Sequence, residues 1–406
     1  MQDVSFDSLT VVLGIAFVVP LALGAVPRLR VPAVVVEIVL GIVVGPQVLD
    51  WARVDDPVAI LSVIGLAFLL FLCGLEVDLD QLRGRVLRLA ALGFGLSLVL
   101  AVLVGVALDA AGFVKSPLLA GIILTATSLG LVLPVLKENE RTATPFGQLV
   151  FAGATLGNLV SALLLSLLFS RDSTDLGTKI VLLAGFVIAV IVLALALTRH
   201  RMSMPLSKLL VRLQDTAAQI RVRGAMFLLV LLILAAQEFG TATILGAFVA
   251  GAIVSVVDRD GVRTHPLLRV KLDAIGYGFL IPVFMVAAGL TFDLQALLDE
   301  PSVLARVPVF VIGLLVVRGL PALVYRSLLG TRNAIAAGLL QATSLPFIVA
   351  ATAIGQSLDV ITRATAAAFV SAGLISALVF PMAASYLLRP DTRVSAAESA
   401  RGRGPR

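Results

Sequence analysis

The sequence predicts an all-α membrane protein of about thirteen transmembrane helices, arranged as two inverted repeats. Three observations predict it. The 406-residue chain is 59% apolar and only 14% charged, with a mean hydropathy of +1.08, whereas soluble proteins carry roughly a quarter charged residues. Its apolar runs recur at lengths of about 17 to 25 residues, which cross a bilayer as helix. Two motifs also repeat at nearly one offset. Ala126-Thr127-Ser128-Leu129 returns as Ala342-Thr343-Ser344-Leu345, 216 residues later. Gly74-Leu75-Glu76-Val77-Asp78-Leu79 returns as Gly289-Leu290-Thr291-Phe292-Asp293-Leu294, 215 residues later.

In chain order the first spans are expected at 9–26 and 32–49, the second holding Glu37 and the small-residue pair Gly41 and Gly45 by which membrane helices approach closely. Residues 57–76 and 89–112 follow as continuous apolar runs. The single cysteine, Cys73, lies in the first of these and excludes an internal disulfide or a cysteine metal cluster. The run 117–136 is interrupted by Thr127 and Ser128 with Pro134 beyond, and 146–169 closes the first repeat. A linker span is read at 179–198. The second repeat holds 221–237, 241–257, 273–289, 303–325 with Arg318 at depth, 333–355 interrupted by Thr343 and Ser344 before Pro346, and 364–388. Between 199 and 220, Leu206, Leu209, Leu210 and Leu213 alternate with Lys208, Arg212 and Gln214. This reads as an amphipathic helix at the membrane surface, with a solvated basic loop as the alternative. The domain is thus 1–388, and 389–406 has the composition of a disordered tail. Met1 to Ser8 carries acids rather than the basic start of a signal peptide.

Charge orients the spans. Of 31 Lys and Arg residues, 24 fall in one set of alternate loops and six in the other, with Arg318 inside a span. By the positive-inside rule the N-terminus faces out and the C-terminus lies in the cytoplasm of a cell-membrane protein. This distribution, rather than the net charge of +6, excludes nucleic acid as the partner; the lipid bilayer is the partner. Corresponding spans lie seven apart and enter from opposite sides, so the repeats are inverted. Paired broken segments in such halves mark a secondary transporter's binding site. The candidates are Thr127, Ser128, Thr343 and Ser344.

Two ionisable residues are placed in the core. Arg318 is far from both ends of its span, where an unpaired cation costs at least about 2.5 kcal/mol. It either steadies unwound backbone or pairs with a carboxylate. Glu37, near the start of its span, is the first candidate for a titrating carboxylate or for a partner of Arg318; an interfacial Glu held by Arg28 or Arg30 is the alternative. Glu76, Asp78, Glu238, Asp273 and Asp293 sit at span ends and read as solvated. His200 and His265 read as loop residues. No Walker A, no dinucleotide GxGxxG and no His/Cys metal spacing is present. The chain reads as no enzyme, with no cofactor.

Four stretches resemble the monovalent cation:proton antiporter superfamily, in its bacterial cation:proton antiporter-2 branch. They are Glu37-Ile38-Val39-Leu40-Gly41 through Gly45-Pro46, Leu72 through Leu79, Thr125-Ala126-Thr127-Ser128 through Glu138, and Ile281-Pro282-Val283-Phe284 through Gly289-Leu290. The resemblance implies the Na+/H+ antiporter fold, with crossed discontinuous helices at 117–136 and 333–355. It also implies a homodimer, with Arg318 matching a basic residue that the family places near the core. One departure stands out. The span-6 Asp of such proteins falls, by this alignment, on Asn158, and no Asp or Glu occurs between Arg141 and Asp172. An amide can ligate a cation but cannot exchange a proton near neutral pH; a hydrogen-bonded helix contact is its plain structural role.

The resemblance therefore implies a secondary active Na+ or K+:proton antiporter, with transported ions and no resident metal. Thr127, Ser128, Asn158, Thr343 and Ser344 would surround the monovalent cation, with Asn158 and Thr127 as its ligands. Two alternatives stay open: a gradient-driven carrier of another solute such as an organic anion, and a non-transporting sensor or subunit of the same fold.

Overall fold

The computed structural model describes residues 5–25, 31–76, 84–142, 144–169, 185, 219–238, 243–259, 267–298 and 301–388. Among them, every regular element is a helix. Among the described residues, nine helical stretches, three of them built from consecutive helical elements, are long and apolar enough to cross a bilayer, and three shorter apolar helices accompany them. The expected linker span apart from residue 185, most of the amphipathic segment and the tail lie outside the described residues.

The first half runs α1 (Asp7–Ala25), α2 (Ala33–Val44), α3 (Asp56–Leu75), α4 (Gly84–Ala110), α5 (Pro117–Thr125), α6 (Leu129–Glu138) and α7 (Pro145–Leu168). The expected span 32–49 stops at Val44, because Gly45 and Pro46 turn the chain. Three starts share one chemistry. Asp55, Ser116 and Thr144 each accept a backbone N–H three residues on, and a proline occupies the first turn, where its missing N–H costs nothing.

The second half runs α8 (Ile220–Glu238), α9 (Thr243–Arg259), α10 (Leu267–Ile275), α11 (Ile281–Leu290), α12 (Leu294–Leu298), α13 (Pro301–Leu314), α14 (Arg326–Leu329), α15 (Thr331–Ala342), α16 (Pro346–Ser357) and α17 (Arg363–Leu388). A π turn at Gly276–Leu280 joins α10 to α11. A second at Leu315–Gly319, followed by 3₁₀ turns over Leu320–Tyr325, joins α13 to α14. Each π turn lies just before a proline, Pro282 or Pro321. Proline cannot donate to the preceding turn, and the wider turn absorbs the lost bond.

Packing pairs recur between the halves. α2 packs on α11 and α3 on α9; α4 packs on α7 and α13 on α17. At the α2–α11 crossing Gly41 lies against Val286 O and Gly289 against Ile38 O, so backbones touch where small residues permit. The turn after α2 is also tied to the turn after α11. Gln47 Nε2 donates to Asp293 Oδ1 at 3.1 Å, and Gln295 N donates to Gln47 Oε1 at 3.0 Å. Asp293 caps α12 through Ala296 N.

Outward faces of α1, α4 and α8 expose Phe17 and Leu21, Leu92, Val99 and Leu103, and Phe227 and Val230, as lipid contact requires.

The crossing sets a test. An added methyl at Gly289 meets Ile38 O and comes within 2.8 Å of Gly41 Cα, whereas one at Gly14 meets nothing within 4 Å. Gly289→Ala is expected to cost about 1–3 kcal/mol, as overpacking does, lowering the thermal midpoint of the detergent-solubilised protein. Gly14→Ala is expected to leave it unchanged. Equal midpoints for both variants would refute the close crossing.

Candidate functional site

Two helices break at mid-chain hydroxyls. α5 ends at Thr125, residues 126–128 are extended, and α6 restarts at Leu129; Ala126 has ψ 156° and Ser128 ψ 100°. α15 ends at Ala342, Thr343 is extended at ψ 112°, and α16 restarts at Pro346. The second break has a covalent cause, since Pro346 removes a donor and pushes Leu345 out of helical geometry. No proline opens α6; tertiary bonds hold the first break instead.

Unwound backbone at this depth needs partners for every freed group. Ser128 N donates to Thr343 O at 2.8 Å, joining the two breaks directly. Thr127 N donates to Asn158 Oδ1 on α7 at 3.3 Å. In the second break, Ser344 N donates to Ser376 Oγ on α17 at 3.2 Å, and Ser376 Oγ donates to Ser344 O at 2.8 Å. Asn158 and Ser376 follow their partners by 31 and 32 residues respectively. Each break is thus capped by the last long helix of its own half. Thr125 and Ser161 hydroxyls, 2.7 Å apart, add a second tie between α5 and α7.

Arg318 sits behind the crossing, 1% exposed, in the second π turn. Its Nε and Nη2 donate to Thr127 Oγ1 at 3.0 and 2.8 Å, Nη2 to Gly153 O at 2.8 Å, and Nη1 to Ser97 Oγ at 3.4 Å. The Phe94 ring centroid lies 5.3 Å from the guanidinium carbon. α7 makes room for this group with glycine: a methyl on Gly157 would lie 3.0 Å from Arg318 Nη2 and 3.1 Å from Thr125 O. Thr127 Oγ1 in turn donates to Gln341 O at 2.5 Å, and Gln341 Nε2 donates to Tyr325 Oη at 3.2 Å.

A cavity of about 560 Å³ reaches the first break. Thr127, Ser128 and Asn158 line it, with Cys73 and Glu76 from the end of α3 and Tyr277 from the first π turn. The expected site residues therefore divide. Thr127, Ser128 and Asn158 face the cavity; Thr343 and Ser344 are fully buried behind it and absent from its wall. Ser344 Oγ is buried without a hydrogen-bond partner. The hydroxyl of Thr127 is saturated: it accepts twice from Arg318 and donates once, leaving no lone pair for a cation. What this break leaves to the cavity wall is the backbone of Thr127 and the residue Ser128.

Two expectations need correction. Glu37 does not pair with Arg318. It is buried on α2 with Oε2 unpartnered, while Arg318 spends its donors on neutral oxygens. Glu76 is not a solvated span end but a partly buried wall of the cavity. Sequence reading also passed over Gln341, Ser97, Ser161 and Ser376. Gln341 adjoins the repeated motif and so carried a signal; Ser376, 218 residues after Asn158, lies near the repeat offset of 215–216 but not on it. Ser97 and Ser161 look like any membrane serine.

A family model for the transmembrane sodium/hydrogen exchanger matches residues 13–389. YjbQ of Bacillus subtilis, provisionally named a Na+/H+ antiporter, is 29% identical over 407 residues, covering 96% of this chain; the chain spans 64% of that protein's length. A Na+/H+ antiporter of Enterococcus hirae is 27% identical over 285 residues, 67% of this chain and 70% of that one. The solved sodium proton antiporter MjNhaP1 of Methanocaldococcus jannaschii shares the fold with a TM-score of 0.62, at 17% identity over 94% of this chain and 97% of that one. The chain belongs to the sodium/hydrogen exchanger family and is a multi-pass membrane protein.

The arginine network predicts a stability loss. Arg318→Met removes the charge but strands Thr127 Oγ1 and Gly153 O, each at about 1–3 kcal/mol. Arg318→Lys keeps the charge but not the planar fork. Both are expected to lower the thermal midpoint in detergent, Met more than Lys. Wild-type stability in Arg318→Met would show that the network does not hold the breaks.

Proposed function

We propose that this member of the sodium/hydrogen exchanger family exchanges a monovalent cation, Na+ or K+, for protons, with the cation entering the cavity at the first helix break. The observation that carries the reading is the cavity itself, which brings solvent-sized space to Thr127, Ser128 and Asn158. Uncharged oxygens suit hard monovalent cations. The N-terminal end of α6 and the C-terminal end of α5 meet at the break, so their opposed partial charges offset and leave the oxygens to select the ion.

Asn158 sets the terms of coupling. Its carbonyl holds Thr127 N, and its amide carries no exchangeable proton near neutral pH. The proton therefore travels on another group. The anion-carrier alternative needs a free positive group, and Arg318 offers none to the cavity: it is absent from the wall and its donors are engaged. A non-transporting protein that lost its carboxylate stays as an outcome of the test.

The rest of the reading follows the family. The halves act as inverted repeats, 9–169 against 221–388, joined by the linker at 179–198. The N-terminus faces out, the C-terminus lies in the cytoplasm of the cell membrane, and the protein works as a homodimer.

In proteoliposomes with a trapped pH dye, wild type is expected to move protons when Na+ or K+ is added. Asn158→Asp is expected to raise this exchange, because a carboxylate accepts from Thr127 N and adds a titrating charge. Asn158→Ala is expected to weaken it. Counterflow of an organic anion without cation-dependent proton movement would favour the carrier reading; binding without flux would favour the sensor.

Topology is checked by labelling. Ser5→Cys and Ser395→Cys are expected to react from opposite sides of the membrane. Reaction from one side would break the inverted-repeat reading.

A further inference from the structure

Two buried or half-buried carboxyls near the core are unused by the site as described. Glu37 has an unpartnered oxygen, but it does not line the cavity; Val31 and Pro32 before α2 and Ala33 and Val34 at its start do. Glu76 does line it, together with Asn158, Ser128 and Tyr277. The end of α3 is brought there by close packing. Cys73 packs with Leu159 and Ala162 of α7, one and four residues beyond Asn158, and with Phe248 of α9. Tyr277 comes from the other side, its hydroxyl 3.0 Å from where a methyl on Gly130 would lie, in the first turn of α6. Glu76 feels the opposing charges of Arg269 and Asp273 on α10, and Lys137 at the end of α6 acts on Asp273. Among the described residues, Tyr277 and Cys73 are the other titratable groups that act with it.

From this placement we infer that Glu76 is the carboxylate which proton and cation occupy in turn, taking over across the cavity the role that Asn158 cannot perform. The inference rests on the exchanger reading above. The step balances simply. As the cation enters, the Glu76 carboxyl O–H gives its proton to water in the cavity, and the carboxylate becomes the cation's counter-charge. When the cation leaves on the other side, the carboxylate takes a proton from that side. One positive charge is exchanged for one, and the cavity never holds a bare cation beside Arg318.

The test compares wild type, Glu76→Gln, Glu76→Asp, Glu37→Gln and Glu76→Gln/Asn158→Asp by cation-dependent proton flux across pH in proteoliposomes. Glu76→Gln is expected to lose at least about tenfold in rate, a loss of about 1.4 kcal/mol in coupling. Glu76→Asp is expected to keep exchange with a displaced pH midpoint, which a merely structural role would not produce. The double variant is expected to recover exchange, because the carboxylate returns to the same cavity; recovery also shows that Glu76→Gln folds. Exchange in wild type that Glu76→Gln leaves intact, or that Glu37→Gln alone abolishes, overturns the assignment of Glu76. A wild type with no cation-driven proton movement overturns the exchanger reading, and this inference with it.

Discussion

A lone buried guanidinium organises the membrane core. Arg318 has no carboxylate among its hydrogen-bond partners and instead engages a threonine, a backbone carbonyl, a serine and an aromatic face. Moving such a charge out of water costs several kcal/mol. Hydrogen bonds from a charged donor return about 1.5–3 kcal/mol each, so four of them offset that cost. What they secure is geometry. Thr127 is fixed by Arg318 on one side and by Gln341 O on the other, so the first break cannot move without the second. Gly157 of α7 leaves the room this group needs, and Gln341 is seated against the same threonine.

The same charge shapes what the cavity can hold. Two unit positive charges about 8 Å apart repel by about 2 kcal/mol at an effective dielectric of about 20. A cation at the break therefore needs a compensating anion. In this chain residue 158 is an amide whose carbonyl already caps Thr127 N. The anion must come from another element, and Glu76 is the carboxyl that shares the cavity wall. Arg318 thus both builds the break and demands the counter-charge.

Much of the fold was legible because a bilayer leaves few options. Apolar length alone marked the helices, and the repeated Thr-Ser pairs marked both breaks. Pro346 announced the second break chemically. The first has no such residue at Leu129, and only its hydroxyls and repeat position betrayed it. Asn158 was legible by alignment, but its engaged carbonyl was not, because the partner is 31 residues away. Glu76 was misread for a physical reason. At the end of an apolar run a carboxylate is normally solvated; here α9, α7 and the π turn at Gly276–Leu280 close around it. The supposed Glu37–Arg318 pair failed because opposite charges in a sequence carry no information about which helix faces lie together. Thr127 was read by residue type as a ligand, and only the count of its bonds shows the hydroxyl to be full.

Proton release on cation binding tests the central claim most directly. Titrating the purified wild type with Na+ or K+ calorimetrically, in buffers of different ionisation enthalpy, gives the protons released per cation bound. The account predicts about one at pH well below the carboxyl's midpoint, falling to about one half at the midpoint, because proton and cation claim one carboxyl. Cation binding with no proton release at any pH would contradict it, since a purely uncharged site of Ser128, carbonyl and amide oxygens would then suffice.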